Sequence, residues 1–394
     1  MLRSPLLPIF LTVFVDVLGM TMVLPLLPFY GLHFGATEVQ VGALIATYSV
    51  CQLISGPILG RVSDRVGRKP TLLVSQIGTC VGFLVLGSAQ SLWMLFLSRA
   101  IDGMTAGNLT IAQAYISDVT KPENRTRAFG LIGIAFGTGF MMGPLVSGQL
   151  ARHFGYGAPG YGAAALSLLS VVLTATLLPS RPPADAAPAN AKLGRIAAFR
   201  HLVDRPLPRR RLLAFFAFAL SFATLTGGLA LYLHRRFGYD VDEVGYVYAY
   251  SGVIGGLVQG GFIGRMAKKL GEDRLSLYGF AAMAAGYALL GALHRLPELL
   301  VVTAVSALGS AVVRPSLTTL LTQSVGPHEQ GATIGVSQSL SSVALIIGPT
   351  LATWLIGHDQ LAAYGLAAGT FSLLGVLIGL QKLPAATETE PAEP

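Results

Sequence analysis

Four ionisable side chains stand deep inside apolar stretches of this sequence: Asp16, Arg99, Asp102 and Arg314. A charge in such surroundings is costly, so each is expected to face a protein interior or a water-filled path and marks a candidate site. Asp16 comes about ten residues into its apolar run, roughly 15 Å deep at helical rise. A carboxyl that alternates between dry and wet surroundings can take up and release a proton, which is the chemistry of a coupling group; the structural alternative is an acid hydrogen-bonded to neighbouring helix ends. Arg99 and Asp102 are three residues apart, hence on one helical face and within reach of each other. A buried pair only partly offsets its desolvation, so stability alone is a weak reason for it. It is either structural or a switch, in which protonating Asp102 frees Arg99 for another partner. Arg314, followed by Pro315, has no acid near it in sequence. It either binds a substrate anion or extends toward headgroups. The seven histidines (33, 153, 201, 234, 294, 328 and 358) all fall at run ends or loops, which argues against a histidine relay or a metal site. No HExxH or G-x-S-x-G sequence occurs, so neither an enzyme nor a cofactor is expected.

The elements that must position these groups are long apolar runs. Of the 394 residues 53% are hydrophobic and 12% charged, against roughly a quarter charged in soluble domains. Runs of about 20 apolar residues recur end to end, the pattern of a polytopic helical membrane protein embedded in a lipid bilayer. Twelve spans are expected: 6–30, 41–60, 71–90, 92–116, 128–151, 159–179, 211–233, 244–264, 275–293, 298–323, 331–356 and 360–381. They group as a six-helix bundle over 1–180, a polar linker over 181–210, a second six-helix bundle over 211–382 and a disordered tail over 383–394. Residues Leu2 to Phe14 have the look of a signal peptide. The apolar run continues past Asp16 to Tyr30, however, and reads as the first span. Cys51 and Cys80 both fall inside apolar runs and read as small core residues.

Two regularities sharpen this picture. Pro122, Gly130 and Gly143-Pro144 recur as Pro327, Gly335 and Gly348-Pro349, 205 residues on, while Gly60-Arg61 and Gly67 recur as Gly264-Arg265 and Gly271, 204 on. Two equivalent bundles of this kind can rock about a central site. Charge fixes the orientation. Of the 27 Lys and Arg, 21 fall in the termini, linker and loops on one side and four on the other, so both termini are expected in the cytoplasm. The net charge of +8 belongs to these short loops rather than to a folded basic face, and no nucleic-acid partner is expected.

The densest of the basic loops reads Gly60-Arg-Val-Ser-Asp64-Arg65-Val-Gly67-Arg68-Lys69. This spacing resembles the loop motif of the major facilitator superfamily, Gly-x-x-x-Asp-Arg-x-Gly-Arg-Lys. The resemblance implies twelve transmembrane helices in two pseudo-symmetric six-helix bundles, with this loop between the second and third helices. It further implies an inner gate in which Asp64 faces the positive end of the eleventh helix near Gly331 and Arg68 reaches Asp118, which closes the fourth span ahead of Arg125 and Arg127. Lys268 stands where the second half would repeat Asp64, so the latch should be asymmetric. Arg99-x-x-x-Gly103-x-x-x-Gly107 resembles a second family motif whose arginine is linked to proton transfer. Gly139-x-x-x-Gly143-Pro144-x-x-x-Gly148 resembles the fifth-span motif of drug–proton antiporters, with Ser147-Gly148 in place of its closing Gly-Gly. Asp16-x-x-Gly19 with Pro25 resembles the first-span motif of the same antiporters.

In motif pattern the first half is most similar to tetracycline-type efflux proteins. Those carry an acid in the third span, where this chain has Val81-Gly82-Phe83, and ionisable groups in the eighth and ninth spans, where it has none; tetracycline itself is therefore not the expected solute. The expected activity is export of a small amphipathic solute, from the bacterial inner membrane and by a monomer, in exchange for protons carried by Asp16 and Asp102 and modulated by Arg99. A cavity lining of Asn108, Gln113, Tyr115, Phe136, Phe140, Phe222, Tyr232, Tyr250, Gln259 and Arg314 suits a bulky, amphipathic solute, cationic or neutral in charge. The alternatives are a proton-coupled carrier of a sugar or organic anion, and a membrane sensor or lipid-handling protein that transports nothing. The orientation is testable by fusing a reporter that is active only in the cytoplasm after Pro394 or within the linker. Both fusions should be active, and an inactive pair would reverse the orientation.

Overall fold

In hydrocarbon a backbone polar group has no partner but the chain itself, so each apolar run forms a helix. The structure is a computed structural model and describes residues 6–120, 125–179, 195–326 and 329–381. In the first half these form α1 (Leu6–His33), α2 (Glu38–Val66), α3 (Arg68–Gly87), α4 (Leu92–Met104), α5 (Asn108–Val119), α6 (Arg125–Phe154) and α7 (Ala158–Leu177). A linker helix follows, α8 (Arg195–Asp204). The second half comprises α9 (Pro206–Phe237), α10 (Val241–Leu257), a π turn (Val258–Phe262), α11 (Ile263–Leu270), α12 (Glu272–Leu289), α13 (Leu296–Gln323), α14 (Gln330–Gly357) and α15 (Leu361–Leu380). Taking α4 with α5 and α10 with α11, the described residues make twelve membrane-length passages. Nine single helices among the described residues are long and apolar enough to cross a membrane. No described residue is in a strand.

Three expectations need correction. The span at 92–116 is two helices, broken at residues 105–107. The eighth passage is interrupted by the π turn. The linker at 181–210 contains α8, and α9 starts at Pro206 because proline suits the first helical turn, where its missing N–H has no partner to lose. Its start at 180–194, the tail at 383–394, Pro122, Pro327 and the side chains of Arg125 and Arg127 lie outside the described residues.

The sequence repeat is a packing repeat. α6 lies along α1, and α14 along α9; α3 packs on α4 and α7, and α12 on α13 and α15. Gly67 and Gly271 end equivalent helices at φ 110° and 78°, a region that side-chain-bearing residues avoid. The linker helix is tied to the second half. Ala198 and Leu202 pack on Leu212, Leu321 and Val336, and Arg205 and His201 bond Glu329 at 3.1 and 2.7 Å just ahead of α14. Arg205 holds the Glu329 carboxyl below the usual carboxylate range. That tie is therefore at full strength at neutral pH and is lost as pH falls through the lowered value.

The halves meet along two seams, α6 against α10 and α2 against α14. We call the end bearing the Gly60–Lys69 loop the basic end and the opposite one the far end. Toward the far end the seams are closed backbone to backbone. A methyl group placed on Gly148 would lie 2.7 Å from Asp242 Cα, one on Gly245 2.6 Å from the Pro144 carbonyl, and one on Gly252 2.6 Å from Met141. On the other seam Gly42 abuts Pro349, Thr350 and Thr353. Ion pairs clamp both seams there: Arg152 with Asp242 at 2.6 Å, and Arg235 with Glu38 across the seam and with Asp359 at 3.0 Å. Toward the basic end the seams part. Methyl groups on Gly60, Gly264, Gly331 or Gly335 would meet no described neighbour within 4 Å. Among the described residues the structure is closed at the far end and open at the basic end.

Because the far-end seal depends on bare backbone, Gly42→Val should wedge it apart. The check is a cysteine in place of Phe29, whose ring packs edge-on 5.4 Å from His234 across the seam. A membrane-impermeant thiol reagent should label it faster in the Gly42→Val background, and an unchanged rate would show that the glycine contact does not hold the seal.

Candidate functional site

Asp16 belongs to a hydrogen-bonded group of polar side chains inside the first half. Gln76 on α3 donates from Nε2 to Asp16 Oδ2 at 3.3 Å and to Ser170 Oγ on α7 at 2.7 Å; Ser167 donates to the Gln76 carbonyl at 3.1 Å. Asp16 thus points into its own bundle, toward α3 and α7. Its Oδ1, and Oε1 of Gln76, are buried without a hydrogen-bond partner among the described residues. A buried oxygen left bare is costly, and on a carboxyl it is where a proton can reside.

The expected Arg99–Asp102 pair is present. Arg99 Nη1 donates to Asp102 Oδ2 at 3.1 Å, with side chains only 5% and 7% exposed. Arg99 Nη2 donates to Ser98 Oγ at 3.1 Å, its guanidinium lies 5.5 Å from the Phe83 ring centre, and its Nε has no partner among the described residues. Gly82 on α3 lies close against α4: a methyl there would sit 3.1 Å from Asp102 Cβ and 3.2 Å from the Ser98 carbonyl, a tight contact. Tyr48 on α2 lies within electrostatic reach of Asp102, Arg99 and Asp16 and receives a hydrogen bond from Gln52 at 3.1 Å.

Immediately after Asp102 the helix breaks. Backbone groups released inside a membrane protein need side-chain partners, and two serines provide them. Ser75 Oγ donates to the Thr105 carbonyl and accepts from Gly107 N at 3.0 Å. Ser55 Oγ donates to the Gly103 carbonyl at 2.8 Å. Beside the break, between α2 and α14, is a polar slot lined by Gln52, Gly56, Ala106, Thr110, Gln338 and Ser342.

The basic loop is bound to its own half. Arg68 bonds Asp118 at 2.9 Å, as expected, and also Asp64 at 2.6 Å and Ser63 Oγ at 2.7 Å; Lys69 caps α7 through the Ala175 carbonyl at 2.8 Å. Arg65 is exposed. The antiporter-type motif has a packing role. Thr21 donates to the Gly139 carbonyl at 2.9 Å, Gly143 abuts Thr21, and Pro144 and Gly148 face α10 across the seam.

The expected cavity lining divides. Phe136 and Phe140 stack at 6.4 Å, and Arg314 reaches from α13 to within 5.6 Å of the Phe136 ring centre in the opposite half. Gln259 is exposed on the π turn, and Asn108 keeps a buried Oδ1 without a partner among the described residues. Gln113, Phe222 and Tyr250 are half-buried. Tyr115 and Tyr232 are core residues instead: Tyr115 packs among Ile9, Val13 and Leu72, and Tyr232 donates to the Leu290 carbonyl beside Tyr364. An aromatic ring with a hydroxyl suits a core as well as a cavity, and the sequence does not separate the two. Missed altogether were Tyr48, Ser55, Ser75, Gln76 and the far-end ion pairs. A Ser or Gln inside an apolar run was the available signal for the polar ones.

Twelve passages, two repeated halves and a seam open at one end are joined by a match over nearly the whole sequence. Residues 9–274 and 260–394 fit the sequence model of the Major Facilitator Superfamily. The chain belongs to that superfamily. Major facilitator relatives include tetracycline resistance protein, class C, of Escherichia coli, 29% identical over 93% of this chain and 91% of that protein. Multidrug resistance protein 1 of Bacillus subtilis (strain 168) is 28% identical over 94% and 95%. The crystal structure of the human organic anion transporter MFSD10 (TETRAN) aligns with a TM-score of 0.75 at 24% identity, covering 96% of this chain and 99% of that one, a likeness of fold. As a major facilitator protein the chain is a multi-pass membrane transporter of small molecules and not an enzyme.

Ser75→Ala would leave the Thr105 carbonyl and the Gly107 N–H without their partner at the break. The expected cost is about 1–3 kcal/mol, read as a lower unfolding temperature in detergent. An unshifted transition would mean that other groups satisfy the break.

Proposed function

We propose that this chain exports a small amphipathic solute from the cytoplasm in exchange for protons, by alternating access of a site between its two halves. The observation that carries the reading is the buried cluster of Asp16, Arg99 and Asp102, which holds two carboxyls and one guanidinium inside the half that also bears the Gly-Pro helix. In this reading the basic end is cytoplasmic, by the bias of Lys and Arg, so the structure is the inward-facing state. In this reading the protein works as a monomer in the inner membrane, and the relatives named for tetracycline and multidrug resistance favour export as the direction.

A proton reaching Asp102 discharges its pair with Arg99, and a proton on Asp16 fills the bare Oδ1. Either event changes how α1, α3 and α4 pack, and α1 carries that change to α6 through the Thr21–Gly139 bond. α6 forms one of the two seams, so its movement against α10 opens one end and closes the other. With the basic end shut, Asp64 and Arg68 serve as the inner gate beside the N-terminus of α14. Proton-driven flux in proteoliposomes tests the reading. An inward proton gradient should drive solute the opposite way, and Asp16→Asn or Asp102→Asn should abolish that drive while the protein still inserts. Gradient-driven efflux that survives both substitutions would remove these carboxyls as carriers.

A further inference from the structure

Arg99 has a carboxylate beside it; Arg314 does not. Arg314 lies on α13, nine residues before its basic end at Gln323, which is roughly 14 Å along the axis. Asp16 lies about as deep in α1, ten residues from its start at Leu6. Arg314 is accessible to solvent, which enters through the parted basic end. Its side chain has one close interaction among the described residues, the ring of Phe136 at 5.6 Å. Neighbouring Thr318 bonds the Arg314 backbone carbonyl and leaves the guanidinium alone.

The geometry of that single contact matters. A ring face attracts a cation through its π electrons and takes up none of its N–H donors in an ordinary hydrogen bond, and no described residue bonds the Arg314 guanidinium. Arg314 therefore presents an unused fork of donors to the cavity at a depth where an uncompensated charge is costly. The group that fits such a fork is a planar or pyramidal acid, carboxylate or sulfonate, bound through two parallel hydrogen bonds. Phe136 and Phe140, stacked at 6.4 Å, lie alongside and can receive an apolar ring.

We propose that the solute is an amphipathic organic anion whose acid group is clamped by Arg314 while its apolar body packs on Phe136 and Phe140. This rests on the transport reading above and adds the solute's charge to it. Arg314 and Phe136 belong to different halves, so a solute held between them bridges the seam and is released when the halves move apart. Asp16 hydrogen-bonds toward α3 and α7, inside the first half. The solute's charge and the carried proton are thus held on separate walls, and their exchange is coupled through the movement of the halves rather than by competition for one group.

Three matched probes test this: 2-naphthoate, its neutral amide 2-naphthamide, and the cation 2-naphthylmethylammonium. Their equilibrium binding to the purified full-length protein in detergent, at neutral pH and with no gradient, should favour the naphthoate by about tenfold or more. Arg314→Gln should erase that preference, Arg314→Lys should keep part of it, and Phe136→Leu should weaken all three probes. Equal or tighter binding of the ammonium probe, or naphthoate binding unaltered by Arg314→Gln, overturns the proposal. Proteoliposomes from the same preparation separate the two readings. Proton-driven movement of some other solute without naphthoate binding refutes the anion site and leaves exchange standing. Arg314-dependent naphthoate binding without any gradient-driven flux supports the anion site and refutes proton coupling.

Discussion

The structure depends on the approach of bare backbones at two crossings. Where α6 meets α10 and α2 meets α14, glycines let main chain touch main chain, and no side chain could be inserted without pushing the halves apart. Lipid tails offer helices no hydrophobic drive to associate, so such close packing supplies the attraction. Gly143-Pro144 and Gly348-Pro349 sit at these crossings. In each, the glycine packs on a helix of its own half and the proline carbonyl meets a glycine of the other half, while the Pro349 ring also packs on Gly227 of its own half. A helix that is held to its own bundle and also touches the opposite one is well placed to carry movement between them. The ion pairs Arg152–Asp242 and Arg235–Glu38 add direction, because they clamp the far end only.

Buried charge is treated differently in the two halves. The first half keeps its carboxyls among Gln76, Ser170 and Arg99, and each acid has at least one bond there. The second half sets Arg314 against the Phe136 ring of the other half, with no acid bonded to it among the described residues. The break between α4 and α5 follows from the same economy. Met104 and Asn108 belong to separate helices, so the Arg99–Asp102 pair is not rigidly joined to Asp118 and the basic loop. Ser75 and Ser55 hold the ends of the break without making them one rod.

Much of this was legible in the sequence. Run length gave the passages, the repeated Gly and Pro gave the two halves, and a three-residue spacing was enough to place Asp102 on Arg99. The loop motif led correctly to Arg68 and Asp118. The break in the fourth passage was not legible, because Gly103 and Gly107 read as small residues in a continuous helix. What separates the two readings is a serine on another helix. The far-end clamps were hidden for a similar reason. Arg152 and Asp242 are 90 residues apart, and nothing local to either names its partner. The cavity list failed at Tyr115 and Tyr232 because composition does not say which face of a helix looks inward.

The π turn at Val258–Phe262 has a consequence for how the two halves compare. Its counterpart in the first half, α2, runs unbroken for 29 residues through Gly60, whereas α10 takes in one residue beyond a regular turn before α11 begins. The capping boxes Thr37/Gln40 and Asp240/Glu243 and the seam glycines Gly42 and Gly245 stand 203 residues apart, whereas Gly60 and Gly264 stand 204 apart. The wider π turn absorbs that one inserted residue. Gly264, Arg265, Lys268 and Lys269 therefore keep the rotational phase of Gly60, Arg61, Asp64 and Arg65, and the second basic loop keeps the screw of the first despite the insertion.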